Sequence, residues 1–356
     1  MSYGGIGESM AASPRLIALK TAVPPYPVDQ VVASQRAAHL FARHPEVLRL
    51  LSVFDNTGIE TRYSCVPIDW YTEAHGWKER TDLYVKNSVD LLETVTRDCL
   101  AEADLRIDEI DAIVVASTTG IATPSLDALL IERLHLRRDI VRLPIFGFGC
   151  AGGVYGLARA ADLARAMPGA RILFLVVELC ALTFRKDDIS KSNIVAAALF
   201  GDGAAGAIVT SDGDGAAFGA SGSYTWPNSL DIMGWEVEED GLKARFAQSI
   251  PSLVASDFRG IATTFFRKND IARESINMFA CHPGGAKVLD ALEAALELPQ
   301  GALGDSRATL RDYGNMSAAT ALFVLHRIRE RGLGERCLMS ALGPGFSAAF
   351  LMLEGQ

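Results

Sequence analysis

The chain has 356 residues, 49% of them apolar, which is too long for one small domain and enough to bury a large core. A formal net charge of −9 argues against a nucleic-acid surface and against docking on anionic lipid. No apolar stretch reaches the roughly twenty residues that a membrane helix needs, so no membrane insertion is expected.

In chain order, residues 1–14 form a short Gly/Ser tail without a basic stretch followed by an apolar run. That is not a secretory signal, and a cytoplasmic protein is expected. Residues 15–21 suit a short strand; Pro24, Pro25 and Pro27 break it, and 28–43 reads as a helix. Val85, Val89, Leu92, Val95 and Cys99 recur in steps of three and four, which predicts an amphipathic helix over 79–102. Apolar runs predict strands at 110–116, 140–146, 171–177 and 205–209, with an Ala-rich helix at 154–166. The second part repeats the theme, with strands at 276–280, 336–341 and 348–353 and helices at 285–296 and 316–330. Alternating elements of this kind point to an α/β architecture. No linker separates independent domains, so the economical division is two similar halves in one body, 15–212 and 213–356.

The six cysteines, Cys65, Cys99, Cys150, Cys180, Cys281 and Cys337, form no C-x-x-C pair, and their spacing suits neither a metal site nor a disulfide framework. Cys150 stands apart. In Gly147-Phe148-Gly149-Cys150-Ala151-Gly152-Gly153 it sits where a strand turns into a helix, framed by glycines that permit a sharp turn and close ligand approach. A helix N-terminus should draw its thiol toward the nucleophilic thiolate. An inert buried cysteine is the common alternative, and it fits Cys99 and Cys337. His282 follows a predicted strand in Cys281-His282-Pro283-Gly284-Gly285, where an imidazole can serve as base, acid or oxyanion donor. Asn315, in Tyr313-Gly314-Asn315-Met316-Ser317, can cap the helix predicted at 316 or aim its amide at a carbonyl oxygen. Together the three suit thioester chemistry, with an acyl group held on Cys150 and a second thioester polarised by His282 and Asn315.

At these residues the sequence resembles the type III polyketide synthases, the chalcone synthase-like family of the thiolase superfamily. Five ordered segments carry the resemblance: 148–153 around Cys150, Leu199-Phe200-Gly201-Asp202-Gly203-Ala204-Ala205, the loop at His282, the segment at Asn315, and Gly343-Pro344-Gly345-Phe346. The resemblance implies a thiolase-like fold, two similar halves in a five-layered αβαβα arrangement, working as a homodimer without metal or organic cofactor. It implies that a starter from acyl-CoA is loaded on Cys150, extended with malonyl-CoA and cyclised in the same cavity. Phe200 matches a gatekeeper between the CoA tunnel and the cavity; Thr183, Ser317, Gly345 and Phe346 match positions around the cavity.

Departures from the family pattern bear on specificity. Ala244 stands near the place of a second gatekeeper phenylalanine, Cys180 where plant members often carry Thr, and Thr123 where they carry a Met that reaches the partner's cavity. These smaller side chains imply extra room, a long aliphatic starter and an alkylpyrone or alkylresorcinol product. Arg49 matches one CoA-binding position, but Ser52 and Asn56 replace basic residues at others. Lys287 is placed to compensate, and acyl carrier protein is an alternative donor of the starter. Two rivals share the chemistry: a single-step 3-ketoacyl synthase of the fatty-acid initiating type, and a thiolase, which needs a second cysteine in a motif that Cys337 lacks. A non-catalytic acyl-binding protein of the same fold is the rival from another class.

Overall fold

A computed structural model describes residues 13–247 and 249–355, so most of the N-terminal tail at 1–14 lies outside the described residues. Its elements run β1 (Arg15–Ala22), β2 (Tyr26–Asp29), α1 (Gln30–Leu40), β3 (Thr61–Ser64), α2 (Trp77–Ala103), β4 (Ala112–Ala116), α3 (Leu126–Leu134), β5 (Val141–Ile145), α4 (Gly152–Ala166), β6 (Arg171–Leu179), α5 (Lys191–Leu199) and β7 (Asp202–Thr210). The second half adds β8 (Ala216–Thr225), β9 (Met233–Glu238), β10 (Gly241–Phe246), α6 (Arg259–Lys268), β11 (Met278–Cys281), α7 (Ala286–Ala295), α8 (Gly304–Tyr313), α9 (Thr320–Arg331), β12 (Arg336–Gly343) and β13 (Ser347–Glu354).

Five layers follow from which faces are apolar. Successive strand residues point to opposite sides, and both sides of the central strands are buried. Val114, Phe174 and Ala207 from the first half and Met339, Leu351 and Leu353 from the second share one core with α4 and α9. The alternate residues Ile113, Leu173 and Ile208 pack under α2 and α3. On the other side, Leu338, Phe350 and Met352 pack under α6 and α7. The order is therefore helices, sheet, the central pair α4 and α9, sheet, helices. Strands run β5-β4-β6-β7-β1 in the first half and β8-β13-β12-β11 in the second, joined through a short β1–β8 contact at Arg15↔Ala217 and Leu16↔Ala216.

Several expectations need correction. The helix expected at 28–43 begins at Gln30, because Asp29 caps it by accepting from the N–H of Val31 at 2.8 Å and of Val32 at 3.1 Å. The preceding residues are paired in β2. The helix expected at 316–330 begins with a 3₁₀ turn, Ser317–Ala319, before α9. The Gly-rich β8, the β9–β10 hairpin, and the helices α3, α5, α6 and α8 were not anticipated. Helix α5 (KSNIVAAAL) is apolar along most of its length, so it shows no amphipathic period.

The central layer depends on close approach. A Cβ at Gly153 of α4 would lie 2.1 Å from the carbonyl oxygen of Ala318, just before α9. Backbone cannot yield as a side-chain tip can. Gly153→Ala is therefore expected to destabilise the protein by about 2–3 kcal/mol, read as a lower denaturation midpoint at unchanged m-value.

Candidate active site

Cys150 lies in a 3₁₀ turn, Gly149–Ala151, that feeds directly into α4. The turn requires its glycines: Gly147 and Gly149 have φ of +95° and +47°, the left-handed region that side chains avoid. A Cβ at Gly149 would also fall 2.6 Å from Pro344, and one at Gly343 would fall 2.3 Å from the carbonyl oxygen of Phe148. The Gly-Pro-Gly loop thus presses against the nucleophile turn. Gly345 in that loop has φ of +123°. Phe346 is fully buried with its ring 5.0 Å from that of Trp226, as part of the second half's outer core.

His282 follows β11, and its N–H donates to the carbonyl of Ser340 on β12 at 2.8 Å. Its ring is buried, and neither ring nitrogen has a protein hydrogen-bond partner among the described residues. Buried polar atoms without partners are rare and mark a place made for a ligand. Burial alone pushes the imidazole pKa down to about 3, so it is neutral.

Asn315 precedes the 3₁₀ turn before α9. Its side-chain oxygen accepts from the N–H of Ser317 at 2.8 Å, which leaves the amide NH₂ as the donor on the side of Cys150. Its backbone pairs with the end of α5: Asn315 donates to the Leu199 carbonyl at 2.8 Å, and Gly201 donates back to the Asn315 carbonyl at 3.0 Å. Phe200 lies in this bridge. The histidine loop reaches the same point, since a Cβ at Gly285 would meet the Leu199 side chain at 3.9 Å. The fold therefore gathers the cysteine turn, the asparagine segment and the histidine loop at one end of the layers.

The expected drift of Cys150 toward thiolate is reversed. Burial pushes its thiol up to about 12, outweighing hydrogen bonds from Ser317 and Asn315, and the nearby Glu178 carboxylate adds to the rise. Cysteine and histidine are thus both neutral in a buried site.

Glu178, at the end of β6, was not anticipated by sequence reasoning. It is fully buried, accepts from the N–H of Thr118 at 3.0 Å and faces the hydroxyl of Ser317 at 3.4 Å. The Thr118 hydroxyl in turn accepts from the N–H of Gly149 at 3.1 Å, next to the nucleophile. Ser317 itself has φ of +46°, a strained value for a non-glycine residue and a usual sign of a functional position. A carboxylate inside an apolar strand is the signal that could have revealed Glu178.

The remaining expected site residues separate into groups. Thr183, Cys180 and Phe200 line an apolar pocket that also touches Val28, Leu40 and Phe54, with about 770 Å³ of empty space, part of it open to solvent. Ala244 is buried beside Cys180 and Phe200, but the room expected there is partly taken by Trp235, its cross-strand partner in the β9–β10 hairpin. The rings of Trp235 and Phe246 stand 5.8 and 5.6 Å from that of Phe200. Thr123 sits on an exposed loop beside Ile121. Arg49 and Lys287 are exposed on the surface, and neither forms an ion pair among the described residues. Among the described residues no group of three His, Cys, Asp or Glu is placed to hold a metal ion, and no helix is long and apolar enough to cross a membrane.

Burial raises the Glu178 pKa from its ordinary 4.5 to about 7. The unfolded chain releases this proton near 4.5 and the folded chain near 7, so between these values the folded state holds more protons and loses stability as pH rises. Ionising Glu178 in place costs about 3 kcal/mol. Asp202, raised to about 6, slopes the same way, and His282, lowered to about 3, slopes the opposite way. Both are common to wild type and Glu178→Gln, so the difference between the two isolates Glu178. Denaturant midpoints measured from pH 4.5 to 7 should fall more steeply for wild type than for the variant.

Comparison with known proteins agrees with this geometry. Residues 10–213 match the model for the N-terminal domain of chalcone and stilbene synthases, and residues 220–354 match the model for their C-terminal domain. The chain is 34% identical to a putative chalcone synthase of Bacillus subtilis, over 95% of this chain and 98% of that one. It is 35% identical to the 1,3,6,8-tetrahydroxynaphthalene synthase of Streptomyces peucetius, over 95% of this chain and 92% of that one. The crystal structure of 1,3,6,8-tetrahydroxynaphthalene synthase from Streptomyces coelicolor superposes with a TM-score of 0.92 at 28% identity, covering 96% of this chain and 99% of that one. The chain belongs to the chalcone and stilbene synthase family and is a type III polyketide synthase of thiolase-like fold.

Proposed function

We propose that the protein loads a long aliphatic acyl group from its CoA thioester onto Cys150, extends it repeatedly with malonyl-CoA, and cyclises the product to a pyrone or resorcinol. The apolar pocket beside Cys180, Thr183 and Phe200 carries this reading: Cys150, His282 and Asn315 do not line it, but Cys180 stands near enough to Cys150 for their charges to interact, so an acyl chain leaving the thioester has an apolar place to enter. Cys150 gives its proton to His282 as it attacks the starter thioester, CoA leaves as the thiolate to be protonated in solvent, and His282 keeps the proton for its return to Cys150. A malonyl thioester then binds with its carbonyl oxygen against the unpartnered imidazole N–H and the Asn315 amide. Loss of carbon dioxide leaves an enolate whose charge falls on those two donors. The enolate carbon attacks the acyl group, and the Cys150 sulfur departs and recovers its proton. No cofactor is required by these steps.

Arg49 and Lys287 are proposed as partial phosphate contacts for CoA. With basic residues absent at Ser52 and Asn56, acyl carrier protein stays as a second possible donor to be tested with the same products. The edge strand β5, with Ile121 and Phe146 exposed nearby, supports assembly as a homodimer, since open strand edges invite pairing.

The test is mass spectrometry of products formed from malonyl-CoA and a series of acyl-CoA starters. Products of several ketide units are expected from wild type and none from Cys150→Ala. A single 3-ketoacyl product would assign a one-step condensing enzyme, and no acyl label on Cys150 would assign a non-catalytic binder. His282→Ala and Asn315→Ala should each slow turnover by about two to three orders of magnitude. Cys180→Phe should shift the preference to shorter starters; an unchanged preference would remove this pocket from the reading.

A further inference from the structure

The acyl pocket has a polar corner that the chemistry above does not use. Arg62 of β3 lines the pocket and is only 7% exposed. Its stem lies beside Gly201 and Gly314, and its guanidinium donates one hydrogen bond, from Nη1 to the Phe200 carbonyl at 2.9 Å. Among the described residues no carboxylate is within ion-pair distance of it. Its charge interacts with Tyr71 and with the buried Asp202 carboxylate, whose oxygens accept from the N–H of Cys65 at 2.9 Å and of Ala181 at 2.8 Å and make no hydrogen bond to the guanidinium. Burial outweighs both and depresses the Arg62 pKa to about 10.

A proton count on the neighbouring hydroxyls also leaves donors in excess. Tyr71 and Ser64 also line the pocket, and their oxygens are 2.6 Å apart. Two hydroxyls carry two protons, and their mutual bond uses one. The Ser64 oxygen also accepts from the N–H of Val66 at 3.2 Å, so that neighbour supplies a further donor and no acceptor. One O–H therefore has no acceptor among the described residues, whichever hydroxyl donates to the other. Arg62 and the Ser64–Tyr71 pair together form a donor-rich, acceptor-poor corner of a mostly apolar pocket, which Arg36, paired with Asp69, and Thr72 also line. A few convergent polar groups on an apolar wall are what fix the orientation and identity of a ligand.

We infer that this corner receives a carboxylate at the far end of the acyl chain, so that the preferred starters are acyl thioesters of dicarboxylic acids. A carboxylate supplies the missing acceptors, and it matches the planar guanidinium fork. A plain alkyl end does neither. The inference rests on the reading above, in which Cys150 holds the starter and this pocket holds its chain.

The experiment compares dodecanoyl-CoA with the mono-CoA thioester of dodecanedioic acid, using the full-length protein and malonyl-CoA. Products are quantified by mass spectrometry, and loading on Cys150 is followed by intact-protein mass. The quantity read is the ratio of kcat/KM for the two starters, which does not depend on how much of a preparation is folded. Wild type should favour the dicarboxylic starter by about tenfold or more, and Arg62→Met should lower the ratio by at least about tenfold. Should Arg62→Met fail to fold, Tyr71→Phe removes a corner donor without touching the guanidinium and should lower the ratio severalfold. Equal use of the two starters, or preference for dodecanoyl-CoA, with both groups loaded on Cys150, would overturn this inference alone. Absence of either acyl group from Cys150 would overturn the underlying reading with it.

Discussion

Two backbone hydrogen bonds, Asn315 N–H to the Leu199 carbonyl and Gly201 N–H to the Asn315 carbonyl, hold the two halves in register at the site. They join the end of a helix in the first half to the segment that starts the central helix of the second. The contact is tight enough to dictate sequence on both sides. A Cβ at Gly201 would lie 2.6 Å from the Tyr313 carbonyl, and one at Gly314 would lie 3.0 Å from the Leu199 carbonyl, where φ of +69° already favours glycine. The Leu-Phe-Gly and Tyr-Gly-Asn segments are therefore one structural unit contributed by two distant stretches of chain. Phe200 at the pocket wall and Asn315 beside Cys150 cannot shift independently.

The site fixed by this bridge is buried and neutral. Burial raises the Cys150 thiol and lowers the His282 imidazole, so a charge separation between them is unfavourable until a substrate supplies new partners. An oxygen carrying negative charge can accept from the one protonated ring nitrogen of the neutral imidazole. A donor held in place before the reaction needs no reorganisation during it, and its effect is greatest where the dielectric is low. The neutral resting pair thus suits a reaction whose charge develops on a carbonyl oxygen.

Much of this was legible because the chemically active residues lie at element junctions marked by glycine and proline. The turn at Cys150, the loop at His282 and the segment at Asn315 each need backbone conformations or approaches that only particular residues allow, and those residues are printed in the sequence. The alternation of strands and helices was legible from their apolar runs, while the five layers came only from the resemblance. What stayed hidden was identity by proximity. Glu178 ends an apolar strand, and Arg62 occupies an unremarked four-residue strand; their importance comes from contacts with Thr118, Ser317 and the Phe200 carbonyl, more than fifty residues away in the chain. The thiolate expectation at Cys150 failed for a related reason. A helix N-terminus is visible in sequence, but the depth of burial that outweighs it is not.

The hairpin over the cavity shows why single positions mislead about volume. Ala244 taken alone implies an opening where a larger residue would close the wall. Yet Ala244 pairs directly across the hairpin with Trp235, and side chains opposite each other in an antiparallel pair share one face. Trp235 packs on Phe200 together with Phe246, while Trp77 donates to the Glu238 carbonyl at 2.7 Å and so pins the hairpin tip to α2. A small residue facing a large one keeps the wall closed but moves its bulk by one strand. The cavity therefore gains little room beneath the hairpin, and the space available to a chain lies instead beside Cys180 and Thr183, between the rings of Phe54, Tyr71, Phe184 and Phe200. The direction in which the pocket extends is set by where those rings stand apart, and the same wall carries the buried Arg62.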